Sequence, residues 1–167
     1  MRITLEGQPA LAGALVEPAP ELLLAPLAAS ALRTEHAVGL DLILEGFLLH
    51  HGRPRHLAIA DDGQRVLAGD FCYAQGLATV AASGDLEVVD ALAELVALSS
   101  VAVAQGAQEV LPSLWAGTIA VIVAPDGAPA GRFRTARTAF RERGERAPLT
   151  ALAAELRAPG VEEALGA

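Results

Sequence analysis

The stretch 34–50 constrains the fold of this chain more than any other. Its apolar residues recur at intervals of three and four, which places them on one face of a helix. They are Leu40, Ile43, Leu44, Phe47 and Leu48. Asp41 and Glu45 share a second stripe of the same helix. Gly52 and Pro54 follow and stop the pattern, so the stretch predicts one long helix and then a loop.

The rest of the chain has the same design, in which runs of Ala and Leu are separated by Gly and Pro. Ala and Leu favour helices, and they raise the hydrophobic fraction to 53% without producing an alternating strand pattern. The further helices are predicted over 21–31, 64–82, 86–104, 113–123 and 131–143, with short helices in 148–167 and weak structure in 1–17. We therefore expect a single all-α domain over 1–167, an abbreviated bundle of about six to eight helices.

The run 86–104 is predicted to be amphipathic. Its predicted apolar face comprises Leu86, Val89, Leu92 (or Ala93) and Val96, and its polar face comprises Asp90 and Glu94. Asp85 precedes the run as an expected N-cap, and Gln105-Gly106 is interpreted as a kink rather than an end.

Charge and cysteine content exclude several classes of function. The formal net charge is −8, which argues against an extended nucleic-acid surface. All basic residues are Arg, so chemistry that depends on Lys, such as a Schiff base, is excluded. Cys72 is the single cysteine and fits a reducing cytoplasm. The most apolar window, 114–124, is too short for a transmembrane segment, and no signal core precedes Pro9. We expect a cytoplasmic protein.

Several segments resemble motifs of the trans-polyprenyl diphosphate synthases, members of the isoprenoid synthase family. Asp41-Leu42-Ile43 and Leu48-Leu49-His50 are similar in register to the family helix Glu-Leu-Ile-His-x-x-x-Leu-Ile-His-Asp-Asp. His51-Gly52-Arg53-Pro54 resembles the Arg-Gly-x-Pro element, and Val66-Leu67-Ala68-Gly69-Asp70 resembles the Leu-x-Gly-Asp element. Gln105-Gly106-Ala107-Gln108 and Gly117-Thr118-Ile119-Ala120 resemble two later elements. The resemblance covers about residues 30–145 and implies a helical isoprenoid-synthase-like bundle.

The chain departs from this family at the catalytic positions. Family enzymes use two Asp-rich motifs to hold the Mg²⁺ ions that neutralise the substrate diphosphate. With His50 aligned, the three Asp positions of the first motif become His51, Gly52 and Arg55; with Arg-Gly-x-Pro aligned, that motif is deleted. Gly117 stands where the family has Lys, and no second Asp motif follows Arg146. The resemblance therefore implies a protein that does not transfer prenyl groups alone.

The leading hypothesis is a non-catalytic homologue or small subunit that shapes the prenyl-chain cavity of a catalytic partner in a homo- or hetero-oligomer. No cofactor is expected, and Mg²⁺ would enter only through that partner. One alternative is a helical protein that binds an isoprenoid or another lipid without turnover. Another is a metal-dependent hydrolase built on the one metal-ligand cluster of the sequence, His50, His51, His56, Asp61 and Asp62.

Other side chains carry two interpretations each. Asp41 and Glu45 either face the central cavity or form a solvated stripe, and Asp70 is expected to accept backbone N–H groups at a helix end. The degenerate-motif region thus comprises Asp41, Glu45, His50, His51, Arg53, Arg55, His56 and Asp70. The arginines of one helix either bind an anion such as a diphosphate or form a solvated face. They are Arg132, Arg134, Arg137 and Arg141. Cys72 is expected to be a buried, inert thiol.

Overall fold

The computed structural model describes residues 1–18, 20, 33–156 and 159–165. Within those residues the chain forms nine α-helices and one 3₁₀ helix, with no strand, which confirms the all-α class. The α-helices are α1 Arg2–Glu6, α2 Pro9–Ala12, α3 Thr34–His51, α4 Asp62–Ala81, α5 Leu86–Ala104, α6 Leu111–Val123, α7 Ala128–Arg143, α8 Ala147–Ala151 and α9 Pro159–Leu165. The helix predicted over 21–31 lies outside the described residues. The helices α1 and α2 lie in the segment for which weak structure was predicted.

Contacts divide the chain into two compact units, Met1–Val89 and Asp90–Ala167. The boundary falls inside α5, and the expectation of a single domain over 1–167 stays a prediction.

The central element of the first unit is α3. Every residue from His36 to Leu49 is buried except Val38, which is partly buried. The limits of this helix agree with the prediction. Its burial extends beyond the one apolar stripe that was predicted, because glycines allow a neighbouring helix to approach closely. A Cβ at Gly39 would lie 3.0 Å from the carbonyl oxygen of Gly76 on α4, and a Cβ at Gly76 would lie 2.8 Å from that of Gly39. The backbones of α3 and α4 are thus in direct contact.

A second close contact joins the same two helices nearer the end of α3. A Cβ at Gly46 would lie 3.0 Å from the carbonyl oxygen of Gly69 and 2.8 Å from the Tyr73 ring. A Cβ at Gly69 would lie 2.5 Å from His50 Nε2. The glycine of the Ala-Gly-Asp step is therefore required by packing.

The N-terminal segment completes the core of the first unit. The buried members of one apolar cluster are Leu5, Leu11, Leu42, Leu49, Leu57, Ala68 and Cys72. Two backbone hydrogen bonds hold this segment to the loop after α3: the Val16 N–H donates to His56 O (2.9 Å), and the Ala58 N–H donates to Ala14 O (2.7 Å). The loop is thereby fixed from both sides.

The helix α5 has the predicted limits but a different buried face. Its buried apolar residues are Val88, Ala91, Leu92, Leu95, Leu98 and Ala102. Leu86, which was assigned to the apolar face, is 72% exposed, and Val89 and Val96 are only partly buried. Leu92 is buried as predicted, but the rest of the predicted face was wrong because the stripe was begun at Leu86, which lies in the first turn beside the N-cap, rather than at Val88.

The chain also ends α5 where the sequence suggested only a kink. Gly106 has a φ of +62°, a conformation that ordinary L-residues rarely adopt, and it closes the helix. The 3₁₀ helix Gln108–Val110 then leads directly into α6.

The second unit is built on α6, which packs against α7, α8 and α9. Trp115 and Phe133 are fully buried, and a Cβ at Gly117 would lie 2.1 Å from the Phe133 ring. The apolar window 114–124 is thus mainly a core helix. No helix in the described part of the chain is long and apolar enough to cross a membrane.

Candidate functional site

The candidate site lies in the first unit, where α3 ends and the following loop folds back. This is the region of the motif resemblance, and it contains the eight residues predicted to surround a degenerate catalytic centre. Glu45, His50 and His51 lie on α3, Arg53, Arg55 and His56 on the loop, and Asp70 on α4. Asp41 lies one turn before Glu45 and is also buried.

Glu45 organises the loop from inside the core. Its side chain is 2% exposed, and its two oxygens accept three consecutive backbone N–H groups. Oε2 accepts from Arg55 (3.0 Å), and Oε1 accepts from His56 (2.8 Å) and Leu57 (2.9 Å). Burial raises the pKa of Glu45, and the three hydrogen bonds oppose that change. Glu45 therefore holds the backbone of the loop. It belongs neither to a solvated stripe nor to the wall of an open cavity, the two interpretations that the sequence offered.

Asp41 is likewise buried, at 3% exposed, so a solvated stripe is wrong for both acidic residues. Its charge acts on the Met1 amino group: burial lowers the pKa of that amine and Asp41 opposes the change. The two carboxylates are thus part of the interior of the first unit.

His50 and Asp70 form a contact across α3 and α4. His50 Nε2 lies 3.2 Å from Asp70 Oδ1 without hydrogen-bond geometry, and the imidazole stacks on the Tyr73 ring at a centroid distance of 5.3 Å. Asp70 was predicted to lie at a helix end, but it does not, because α4 begins eight residues earlier, at Asp62. Its side chain is 66% exposed, and its role is a surface contact with His50.

The N-cap of α4 is Asp61 instead. Its Oδ1 accepts the Gln64 N–H at 2.8 Å. Arg65 completes this connection by donating from Nη2 to the carbonyl oxygens of Leu49 and Gly52, both at 3.1 Å. A cation at these carbonyls also complements the negative end of the α3 dipole.

The structure does not assemble the five predicted metal ligands. No group of three or more His, Cys, Asp or Glu side chains in the described ranges is placed to hold a metal ion. His56 is buried and lies beside Arg55, and both effects lower its pKa to about 4. His51 is exposed, and Asp61 is engaged as the N-cap. The described residues therefore do not bring these five side chains together, and the hypothesis of a metal-dependent hydrolase stays a prediction.

The four arginines of α7 are engaged in contacts within the second unit. Arg137 and Arg141 both pair with Glu94, at 2.9 and 3.0 Å, and Arg132 pairs with Glu155. Arg134 donates to the carbonyl oxygen of Pro125 at 2.6 Å. Arg132, Arg134 and Arg141 are exposed, as a solvated face requires, whereas Arg137 is partly buried.

No family model, curated protein or solved structure matches this chain. The case for any function therefore rests on the residues around α3 and on the motifs of α3 and α4.

Cys72 has the environment that was predicted for it. It is fully buried, and burial raises the pKa of its thiol to about 12, which makes it unreactive. Three contributions were missed: Tyr73 as the platform for His50, Arg65 as the partner of the α3 carbonyls, and the approach of His36 to Asp85. The sequence carries a signal only for the last, since Asp85 was already expected as an N-cap.

Proposed function

We propose that the protein is a non-catalytic homologue or small subunit of a trans-polyprenyl diphosphate synthase that shapes the prenyl-chain cavity of a catalytic partner. The motif resemblance supports the family, because the elements on α3 and α4 are those that a prenyl synthase presents around its first metal site. The observation that carries the non-catalytic part is that His51, Gly52 and Arg55 stand at the positions of the first Asp motif. The buried carboxylate that contacts this loop, Glu45, is engaged by three backbone N–H groups. A carboxylate held in this way is committed to the loop.

The chemistry at the end of α3 supports the same proposal. Mg²⁺ prefers oxygen ligands, above all carboxylates. At the end of α3 the positions of the family motif hold His51, Gly52 and Arg55. Asp61 is an N-cap, and Asp70 is beside His50. Residues of this kind do not replace an Asp-rich motif, so Mg²⁺ and ionisation of the diphosphate would belong to the partner.

The helix α4 offers an apolar surface for that partner. Val66 is 48% exposed and Leu67 is 70% exposed, although both are large apolar residues. Exposed apolar side chains of this kind are typical of interaction surfaces when they occur together. Leu67 belongs to the Leu-Ala-Gly-Asp element, so this surface adjoins the region of the motif resemblance.

Co-expression with a full-length prenyl synthase that carries both Asp motifs, from the same genome, tests the proposal. We expect the two chains to co-purify and the length of the prenyl product to change when this chain is added. The variant Leu67→Glu should abolish co-purification, whereas Leu86→Glu, at a residue of similar exposure (72%) at the start of α5, should not. Separate elution, with rate and chain length unchanged, would refute the proposal.

A groove in the first unit supports the second candidate, a protein that binds an isoprenoid or another lipid without turnover. The groove has a volume of about 400 Å³ and is lined by Val16, Leu57 and Ile59 together with Arg53 and Arg65. Apolar walls beside two arginines suit an amphiphile with an anionic head group. Mass spectrometry of lipids extracted from the purified protein tests this candidate, and Ile59→Asp should reduce the amount recovered. Extracts without lipid would count against it.

A further inference from the structure

His36 and Asp85 face each other across the first unit without completing a bond. His36 lies in the first turn of α3 and is 5% exposed, and its Nε2 has no hydrogen-bond partner among the residues that the structure describes. Nε2 is 3.6 Å from Asp85 Oδ2, which exceeds the length of a hydrogen bond between these atoms. A buried polar atom in this condition carries a desolvation cost that a modest movement could remove.

Asp85 is also the N-cap of α5. Its Oδ1 accepts the Val88 N–H at 3.2 Å, while Oδ2 faces His36. Asp85 and its neighbours line an open groove of about 430 Å³, whose other charged members are Arg33 and Glu87. Among the described residues, the charged groups on this side of His36 are the carboxylates of Asp85 and Glu87 and the guanidinium of Arg33. Glu35, the exposed neighbour of His36 on α3, adds a further negative charge.

We infer that His36 and Asp85 form a proton-controlled clamp between the start of α3 and the N-cap of α5. A proton taken from water onto the imidazole makes both ring nitrogens donors, and the Nε2–H then donates to Asp85 Oδ2. The movement required is less than 1 Å. The charged pair fixes the carboxylate that caps α5, so acidification tightens the first turn of α5. At alkaline pH the imidazole is neutral, and the pair loses the attraction between two opposite charges.

Amide hydrogen exchange of Val88 between pH 8 and pH 5 tests the clamp, after correction for intrinsic rates and with the Gln64 amide, which Asp61 caps in the first turn of α4, as internal reference. The range spans the titration of histidine. We expect the protection of Val88 relative to Gln64 to rise about fivefold on acidification, the effect of an ion pair worth about 1 kcal/mol. His36→Gln and Asp85→Asn should each abolish the rise. Asn retains the capping oxygen, so Asp85→Asn removes the charge while keeping the cap.

The variant His51→Gln serves as the matched control, because it removes an exposed histidine at the other end of α3 and should leave the rise intact. A rise of the same size in His36→Gln, or no rise in the wild-type protein, overturns the clamp. A double-mutant cycle of the two substitutions at both pH values measures the coupling directly, and equal coupling at pH 8 and pH 5 also overturns it.

Discussion

The carboxylate of Glu45 accepts the backbone N–H of His56 at 2.8 Å, across ten intervening residues and within the interior of the first unit. The neighbouring N–H groups of Arg55 and Leu57 share the same carboxylate. One side chain on α3 thus determines the path of the loop that follows the helix.

Replacing Glu45 should destabilise the protein strongly. Glu45→Gln substitutes one amide oxygen for two carboxylate oxygens and leaves at least one buried N–H without an acceptor, which should lower the free energy of unfolding by about 2–4 kcal/mol. Urea unfolding followed by circular dichroism measures this. Asp62→Asn, at an exposed residue in the first turn of α4, should change it little. Equal effects of the two variants would show that Glu45 does not hold the loop.

His56 should make the protein labile to acid. Its pKa in the folded protein is about 4, below the ordinary value of 6.5, so the unfolded chain binds more protons between these values. Stability is therefore lost as the pH falls from 6.5 to 4, by about 3 kcal/mol. Glu45, whose pKa is raised, acts in the opposite direction, because its protonation favours the folded state.

The comparison with His56→Gln isolates the histidine contribution. This variant has no titrating imidazole at position 56, so its free energy of unfolding should fall by about 3 kcal/mol less than that of the wild-type protein between pH 7 and pH 4. Denaturant titrations at each pH provide the measurement. Parallel pH profiles for the two proteins would contradict the assignment.

Gly69→Ala should disturb the contact of α3 with α4. The added Cβ would lie 2.5 Å from His50 Nε2, so the ring must leave its place on Tyr73, at a cost of about 1–3 kcal/mol. Gly131→Ala is the matched control, because nothing lies within 4 Å of its Cβ position on α7; it should stabilise the protein by about 0.5–1 kcal/mol. Thermal unfolding distinguishes the two, and His50→Ala should restore most of the loss in the Gly69→Ala background.

The ion pair of Arg137 and Glu94 should matter more than that of Arg132 and Glu155. The first pair is 15% and 13% exposed, and Arg137 also stacks on Phe133. Glu94→Gln leaves the mostly buried guanidinium of Arg137 without its main counter-charge and should lower the free energy of unfolding by about 2 kcal/mol. Glu155→Gln, on the exposed pair, should leave the unfolding midpoint nearly unchanged. Equal losses would contradict the ranking.

The sequence predicted the long helices well, because their limits depend on local signals. Gly52 and Pro54 stop α3, and Asp85 precedes α5 as its cap, so both helices have nearly the expected bounds. The prediction of the buried face of α5 was wrong at most positions, since periodicity gives the width of an apolar stripe but not which of two adjacent stripes meets the core.

The candidate site depends on contacts between residues distant in sequence, which local patterns do not encode. Glu45 could be recognised as a member of a polar stripe, but its partners lie on a loop whose path Glu45 and the N-terminal segment fix together. Asp70 was misjudged because a helix-end role was assigned to it although the helix predicted over 64–82 already placed it inside; Asp61 provides the cap. The resemblance to prenyl synthases stays a prediction, and the co-purification experiment decides it.

The glycine contacts between α3 and α4 have one more consequence. Gly39 pairs with Gly76, and Gly46 pairs with Gly69, so the helices run antiparallel and the two contacts lie about two helical turns apart on each. If one helix shifted along the other by one turn, side chains such as Ile43 and Tyr73 would reach the glycine contacts, where there is room only for a hydrogen atom. The pair of helices therefore has a single allowed alignment, which the positions of the four glycines select.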